Sequence, residues 1–299
     1  MELSNILKEM DVSDYTIQNK KEFDTLGLIA SITDLSMCTF LDNEKYIVRI
    51  PDNVTMLITT KEIFSGLSVN SYGVCIVENP RLLYFNIHNF LSASINYTRK
   101  KFATIIGKNC TISSHAVISD NNVTIGDDVT IEEFVSIREN TVIGDGTIIR
   151  SGSVIGGEGF EFKRTENSVL GVKHLGGVII GQNVEIQHNT CVDKAVYPWD
   201  DTMIGNNSKI DNLVHIAHAV KINNNTMVVA LSGVGGRTTI GENSWIGFSS
   251  TITNGIKVGK DTSVNMGAVV TRNVGDGQSV TGNFAIDHKK FIEFIKSIR

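Results

Sequence analysis

Proline and aromatic residues are scarce in this 299-residue sequence, with three prolines and 7% Phe, Trp and Tyr. A core short of aromatics must be filled by aliphatic side chains. The four cysteines, Cys38, Cys75, Cys110 and Cys191, form no C-x-x-C pair, which excludes a zinc ribbon and a disulfide framework and points to a reducing, cytoplasmic setting. No run approaches the ~20 apolar residues that cross a bilayer, and the opening stretch MELSNILKEMDVSDY carries acids where a secretory leader would be apolar. There is no basic excess either. A net charge of −5 argues against nucleic-acid binding. What is present is 41% hydrophobic residues against 20% charged, enough for a folded chain, and 27 glycines. Glycine with Ile and Val, and little else in the core, suggests many short strands joined by tight turns.

Counting in sixes finds the pattern. Ile180, Ile186 and Val192 lead, past Pro198, to Ile204, Ile210, Ile216, Ile222, Val228, Val234, Ile240, Ile246, Ile252, Val258, Val264 and Val270. An earlier series, Ile106, Ile112 and Ile118, slips by one residue and resumes at Ile125, Ile131, Ile137, Ile143, Ile149 and Ile155. Neither the twofold period of a strand nor the 3.6-fold period of a helix produces this. A coil of three short strands does: each hexapeptide forms one flat side and a corner, with its aliphatic anchor pointing inward. The expected fold is mainly β, a left-handed parallel β-helix of about eight coils, roughly 38 Å long at the usual strand spacing.

Segments outside the period flank the repeat and interrupt it. Residues 1–100 read as a small α/β domain, with an early helix, strands at VTMLITT (54–60) and YGVCIV (72–77), and an amphipathic helix from about Pro80 to Ile95. The β-helix is expected over 101–282, and HKKFIEFIKSIR (288–299) carries a helical apolar stripe within a C-terminal helix segment, 283–299. Two excursions interrupt the repeat. One, about 157–177, carries Phe160 and Phe162 and reads as a protruding loop; the other, AVYPWDD (195–201), places Pro198 at an anchor and predicts a bulge.

Outward side chains on a β-helix hold fixed positions suited to chemistry. In KIDNLVHIAHAVKI (209–222), Asp211 and His218 lie seven residues apart beside successive anchors. A carboxylate beside an imidazole fixes its tautomer and raises its basicity, the minimum for a general base. His215 and His188 are weaker candidates.

The stretches VIGGEGFEF, GGVIIGQNVEI and DDTMIGNNSKIDNLVHIAHAVKI closely resemble the UDP-3-O-acylglucosamine N-acyltransferases of lipid A assembly, trimeric left-handed β-helix enzymes. FLDNEKY (40–46) is similar to that family's F-x-x-N-x-K-Y element, and VENPRLLYFNIHNFL (77–91) to its strand, turn and helix. About 270 of the 299 residues are covered. The resemblance implies that His218 is the general base and Asp211 its orienting partner. It implies that the first domain binds uridine, with Phe40 and Tyr46 sandwiching the uracil ring and Asn43 reading its edge. Gly157, Gly159 and Phe160 would shape the acceptor-sugar site, and Asn254, Gly255, Gly282 and Asn283 the donor site. It further implies a cytoplasmic homotrimer, a nucleotide-linked amino sugar as acceptor, and acyl carrier protein or coenzyme A as the thioester donor and co-substrate. No bound cofactor or metal is required.

The sequence departs from the family's pattern at three places. Thr253-Asn254-Gly255-Ile256 stands where the family reads I-N-G-H, so a second histidine is missing; VDKAVYPWDDT replaces I-D-R-G followed by D-D-T. The chain continues from Gly282-Asn283-Phe284-Ala285 into a short helix, and that GNFA is similar to the GNPA of coenzyme A-dependent sugar acetyltransferases. A coenzyme A-dependent N-acyltransferase acting on a UDP- or dTDP-amino sugar for surface polysaccharide is therefore an alternative. Two others stand further off: a zinc hydratase resembling the γ-class carbonic anhydrases, using His188, His215 and His218 across a trimer interface, and a non-catalytic β-helix for surface recognition.

Overall fold

The computed structural model describes residues 1–67, 71–282 and 285–298. They divide into two compact units: one comprises 103–157, 178–193 and 202–299, the other 1–102 with 158–177 and 194–201. The first unit is the left-handed parallel β-helix expected from the period. Its three walls are parallel sheets of nine, eight and eight short strands, giving about eight coils. Each anchor stacks on the equivalent anchor of the next coil, as Ile204, Ile222 and Ile240 do at intervals of eighteen residues. The anchors from Ile125 to Val264 are buried in one continuous cluster. At ~25 cal/mol per Å² of apolar surface, that column supplies the main stabilising term of this unit.

The corners need backbone that turns sharply without breaking the ladder. Left-handed residues recur once per coil there: Asn207, Asn225, Asn243 and Asp261 follow one corner, with φ between 53° and 60°. Asn and Asp tolerate this region because their short polar side chains hydrogen-bond locally. Here they also bond one another along the axis: Asn207 Nδ2 donates to Asn225 Oδ1 at 3.2 Å, and Asn225 Nδ2 to Asn243 Oδ1 at 3.1 Å. Two residues before many anchors lies a buried Ser or Thr. Its hydroxyl donates to a carbonyl of a neighbouring coil, as Thr190 does to Asp211 at 2.7 Å and Ser232 to Gly247 at 2.9 Å.

Both excursions leave the β-helix at one corner. The first wall strand Val154–Gly157 is followed by the departure of 158–177, yet Ile155 still stacks on Val192. At the second, Pro198 occupies no anchor. Ile186 pairs with Ile210, twenty-four residues on, so one whole hexapeptide is looped out and the wall passes from Val192 to Ile204. The sixfold count survives because the excursion adds a net six residues to its coil.

The second unit is built on a five-stranded mixed sheet in which Met37–Leu41 and Val54–Thr59 are central. The helix Pro80–Leu91 packs on it, capped by Asn79 Oδ1, which accepts from the Leu82 N–H at 3.1 Å, with proline in the first turn where its missing N–H costs nothing. Tyr197 and Trp199 of the looped-out hexapeptide belong to this unit's core. Their rings stack at 5.8 Å, the Tyr197 and Tyr84 hydroxyls lie 3.0 Å apart, and Trp199 Nε1 donates to the Leu26 carbonyl at 2.9 Å. His88 is buried there. Its Nε2 lies 2.8 Å from the Lys173 carbonyl, which requires Nε2–H, and Nδ1 then accepts from the Tyr97 hydroxyl at 3.0 Å. Burial pushes its pKa down to about 4, so it is neutral. The helix His288–Ser297, capped by Asp287, has no buried residue. Among the described residues no helix is long and apolar enough to cross a membrane.

Candidate functional site

His218 lies at the corner from which the excursions depart, one coil beyond the second of them. It is 6% exposed. The equivalent position on the next coil is Gly236, and a β-carbon there would stand 2.6 Å from His218 Nε2. Glycine is therefore what makes room for the imidazole ring. One coil further, the same position is Asn254, and the three coils are joined by backbone bonds, Arg237 N–H to the His218 carbonyl and Gly255 N–H to the Gly236 carbonyl, both 2.9 Å. Asn254 and Gly255 thus share the column of His218, both exposed, with Gly255 in the left-handed region at φ 72°. Gly282 is placed elsewhere, with its backbone against Gly267 at another corner, and Asn283 lies outside the described residues.

Asp211 is not hydrogen-bonded to His218. Its Oδ1 accepts from the backbone and side-chain amides of Asn212, at 2.7 and 2.8 Å, and its Oδ2 from the Ala230 N–H at 3.1 Å. Seven residues span a full corner, and the carboxylate is drawn into the turn nearest to it. Another carboxylate–imidazole pair lies on this wall. His215 Nε2 lies 2.9 Å from Asp193 Oδ2. Asp193 is nearly buried while His215 is half exposed. The hydrogen bond that His215 donates to Asp193 raises the His215 pKa above its ordinary value, against the opposing effect of burial. Sequence spacing gives little sign of this pair, because the looped-out hexapeptide separates the two residues by twenty-two positions. Gly157 closes the lower end of this edge, its Cα paired with that of Asp193.

The glycine-rich excursion places Gly159 and Phe160 in the other unit, where the Phe160 ring is exposed and lies 4.8 Å from that of Phe162. The bases of the two excursions are pinned together within that unit. Glu158 Oε2 lies 3.4 Å from His174 Nδ1 and Glu158 Oε1 lies 3.1 Å from Lys194 Nζ. The hydrogen bond from His174 and the charge of Lys194 hold the Glu158 carboxyl down at about 2.

Phe40 and Tyr46 both line a cavity of about 360 Å³, with Leu28, Asp42, Arg49 and Arg81. The Arg81 guanidinium sits 5.6 Å from the Phe40 ring centroid and pairs with Asp42 at 2.8 Å. Phe40 is braced from behind by Tyr84, with ring centroids 5.0 Å apart. Asn43 is exposed and does not line the cavity; it caps the short helix Glu44–Arg49, accepting from the Lys45 N–H at 3.1 Å, and so positions the turn that carries Tyr46 and Arg49. The two arginines escaped the sequence reading, since nothing in their spacing marks them.

His188 does not join the other histidines. Its Nδ1 lies 3.0 Å from Asn212 Oδ1, and among the described residues no cluster of three or more His, Cys, Asp or Glu side chains is arranged to hold a metal ion.

Comparison with known proteins gives matches along the β-helix. A family model described as bacterial transferase hexapeptide (six repeats) matches residues 122–157, and one described as the hexapeptide repeat of succinyl-transferase matches 103–133 and 237–272. The chain is 42% identical over 55 residues to the UDP-3-O-acylglucosamine N-acyltransferase of Leptothrix cholodnii, and 46% identical over 55 residues to that of Pseudomonas fluorescens. Each match covers 18% of this chain, and spans 16% and 15% of the respective relatives. Among solved structures, the UDP-N-acetylglucosamine acyltransferase from Campylobacter jejuni aligns at 20% identity with a TM-score of 0.55, over 66% of this chain and 79% of that one. The corresponding enzyme from Bacteroides fragilis aligns at 22% identity and 0.52, over 67% and 75%. These two likenesses show the fold. The repeat, the coils it builds and the two family models agree that the chain carries hexapeptide repeats wound into a β-helix, as the hexapeptide acyltransferases do.

Proposed function

We propose that the protein is an N-acyltransferase that moves an acyl group from a pantetheine thioester to the amine of a UDP-linked amino sugar, with UDP-3-O-acylglucosamine the first acceptor to consider. The observation that carries this reading is His218, an imidazole seated over Gly236 in a rigid corner, within a run similar to the acyltransferases named above. The amine nitrogen attacks the thioester carbonyl and loses a proton to His218; the carbon–sulfur bond breaks, leaving an amide and a thiol. A rigid corner suits this work, because holding both reactants in register supplies much of the rate enhancement. Backbone N–H groups at the turn are suited to the developing oxyanion.

The aromatic-lined cavity supports a nucleotide in the acceptor. Phe40 and Tyr46 offer faces for a flat base, and Arg49 and Arg81 offer positive charge for a diphosphate. Asn254 and Gly255, in the column of His218, are assigned to the donor. On this reading the protein acts as a homotrimer in the cytoplasm, and the donor is either acyl carrier protein or coenzyme A.

The test is a mass-spectrometric transfer assay with UDP-3-O-acylglucosamine and both donor types in parallel, on the wild type and His218→Ala. Amide formation that His218→Ala abolishes supports the proposal. Undiminished transfer by His218→Ala would remove the base from it.

A further inference from the structure

The amide-forming step moves protons at two places, on the nitrogen that attacks and on the sulfur that leaves. One imidazole serves the first. The wall of the β-helix carries a second, and its surroundings differ in ways that fit the other task. His215 lies on the strand that leads into the His218 corner, three residues before it. Its Nε2 bonds the nearly buried Asp193 carboxylate at 2.9 Å, which fixes a proton on Nε2. Its Nδ1 makes no hydrogen bond to any described residue, and the side chain as a whole is half exposed. On the coil above, its neighbour in the ladder is Gly233, where even a β-carbon would have nothing within 4 Å. On the coil below, its neighbour is Cys191. Open space above, a thiol beside and a carboxylate behind leave the outer edge of this ring accessible to a ligand.

We propose that His215, held by Asp193, is the general acid of the transfer and protonates the departing thiolate, while His218 accepts the proton of the attacking amine. This rests on the acyl-transfer reading given above and deepens it. With both nitrogens protonated, Nε2–H remains on Asp193 and Nδ1–H is free to be given away. As the tetrahedral adduct collapses, the C–S electron pair goes to sulfur and the Nδ1 proton follows it. The thiol departs, the imidazole is left neutral, and His218 holds the proton taken from nitrogen. One proton has left nitrogen and one has reached sulfur, so exchange with solvent restores both histidines. Two like groups with different environments performing opposite proton transfers is a common enzymatic solution. The groups facing His215 are the Asp193 carboxylate and Cys191 thiol of the coil below, with none contributed by Gly233 above. Asp193 favours the charged imidazolium, which is the form an acid needs at neutral pH.

The experiment compares wild type, His215→Gln and Asp193→Asn in kcat and KM across pH, with oligomeric state and melting temperature recorded for each. His215→Gln is expected to lower kcat by about 100-fold with KM little changed, the usual cost of removing a positioned acid. Asp193→Asn keeps the imidazole but lowers its affinity for the proton. It therefore moves the alkaline limb of the pH–kcat profile to lower pH, which a merely structural role would not do. A slower leaving group, such as an alkyl-thiol thioester of higher thiol pKa, should widen the deficit of His215→Gln. If folded His215→Gln retains wild-type kcat, or Asp193→Asn leaves the alkaline limb in place, the assignment is overturned. Failure of the acyl-transfer reading looks different: the wild type then transfers nothing from any donor, and both proposals fall together.

Discussion

Gly236→Ala isolates the role of His218 from the stability of the coil. A β-carbon at Gly236 would lie 2.6 Å from His218 Nε2 and 2.7 Å from Cε1, against about 3.5 Å for ordinary contact. The ring must therefore retreat by roughly 1 Å. The backbone does not object, because Gly236 is not among the glycines in the left-handed region. The cost in stability is that of a local overpacking, about 1–3 kcal/mol, within what a continuous column of buried anchors can absorb. The cost in rate is larger in proportion. A misplacement of about 1 Å lowers catalysis by ~10²-fold, or about 2.7 kcal/mol in activation free energy. The assay is kcat/KM for acyl transfer beside a thermal melt. A cooperative melt with transfer reduced ~10²-fold is the expected result. A folded variant with wild-type turnover would refute the reasoning, since the imidazole would then have no need of the position that the glycine permits.

Other positions give further tests. Ile216→Ala, in the middle of the anchor column, should destabilise the β-helix by about 2–5 kcal/mol in denaturant titration, whereas Ile112→Ala, only partly buried near one end, should cost clearly less. Asn225→Ala loses both axial side-chain bonds and leaves at φ 57° a residue without the polar side chain that makes this region tolerable, so it should cost about 1–2 kcal/mol, while Asn225→Gly should recover part of that loss. Phe40→Ala should weaken UDP binding by tenfold or more in calorimetry, and Arg81→Ala should make the remaining binding less sensitive to salt. The Glu158 carboxyl is held below its ordinary 4.5, at about 2, so its contribution to stability is complete above pH 4.5 and is lost as pH falls from there towards 2. Glu158→Gln should flatten the acid limb of the stability curve in that window; an unchanged limb would show that the clamp with His174 and Lys194 contributes nothing.

The β-helix is legible in the sequence because each anchor answers to a single requirement, an aliphatic side chain at one point of a triangle, repeated until chance is excluded. The axial Asn ladder and the buried Ser and Thr hydroxyls are visible in the same register once the coil is known, but no single hexapeptide announces them. Pro198 is more instructive. Counting alone puts it at an anchor, and the structure loops its entire hexapeptide out, because Tyr197 and Trp199 find a better-matched core in the other unit. The site divides in the same way. His218 is singled out by the run it sits in, and Phe40 and Tyr46 only by the resemblance of FLDNEKY to the acyltransferases' element. Asp211 and Asp193 are not separable by such means: which carboxylate reaches which histidine depends on the turn each one enters. Nearness in sequence favours Asp211, while the fold hands the imidazole of His215 to Asp193.

The central claim, amide transfer at the His218 corner, is tested most directly by offering UDP-3-O-acylglucosamine with hydroxyacyl carrier protein and short acyl-coenzyme A, and weighing the products by mass spectrometry. The account predicts an acceptor heavier by one acyl group, formed by the wild type and not by His218→Ala. No acylated product from this acceptor or from any other UDP- or dTDP-linked amino sugar, with either donor, would contradict it.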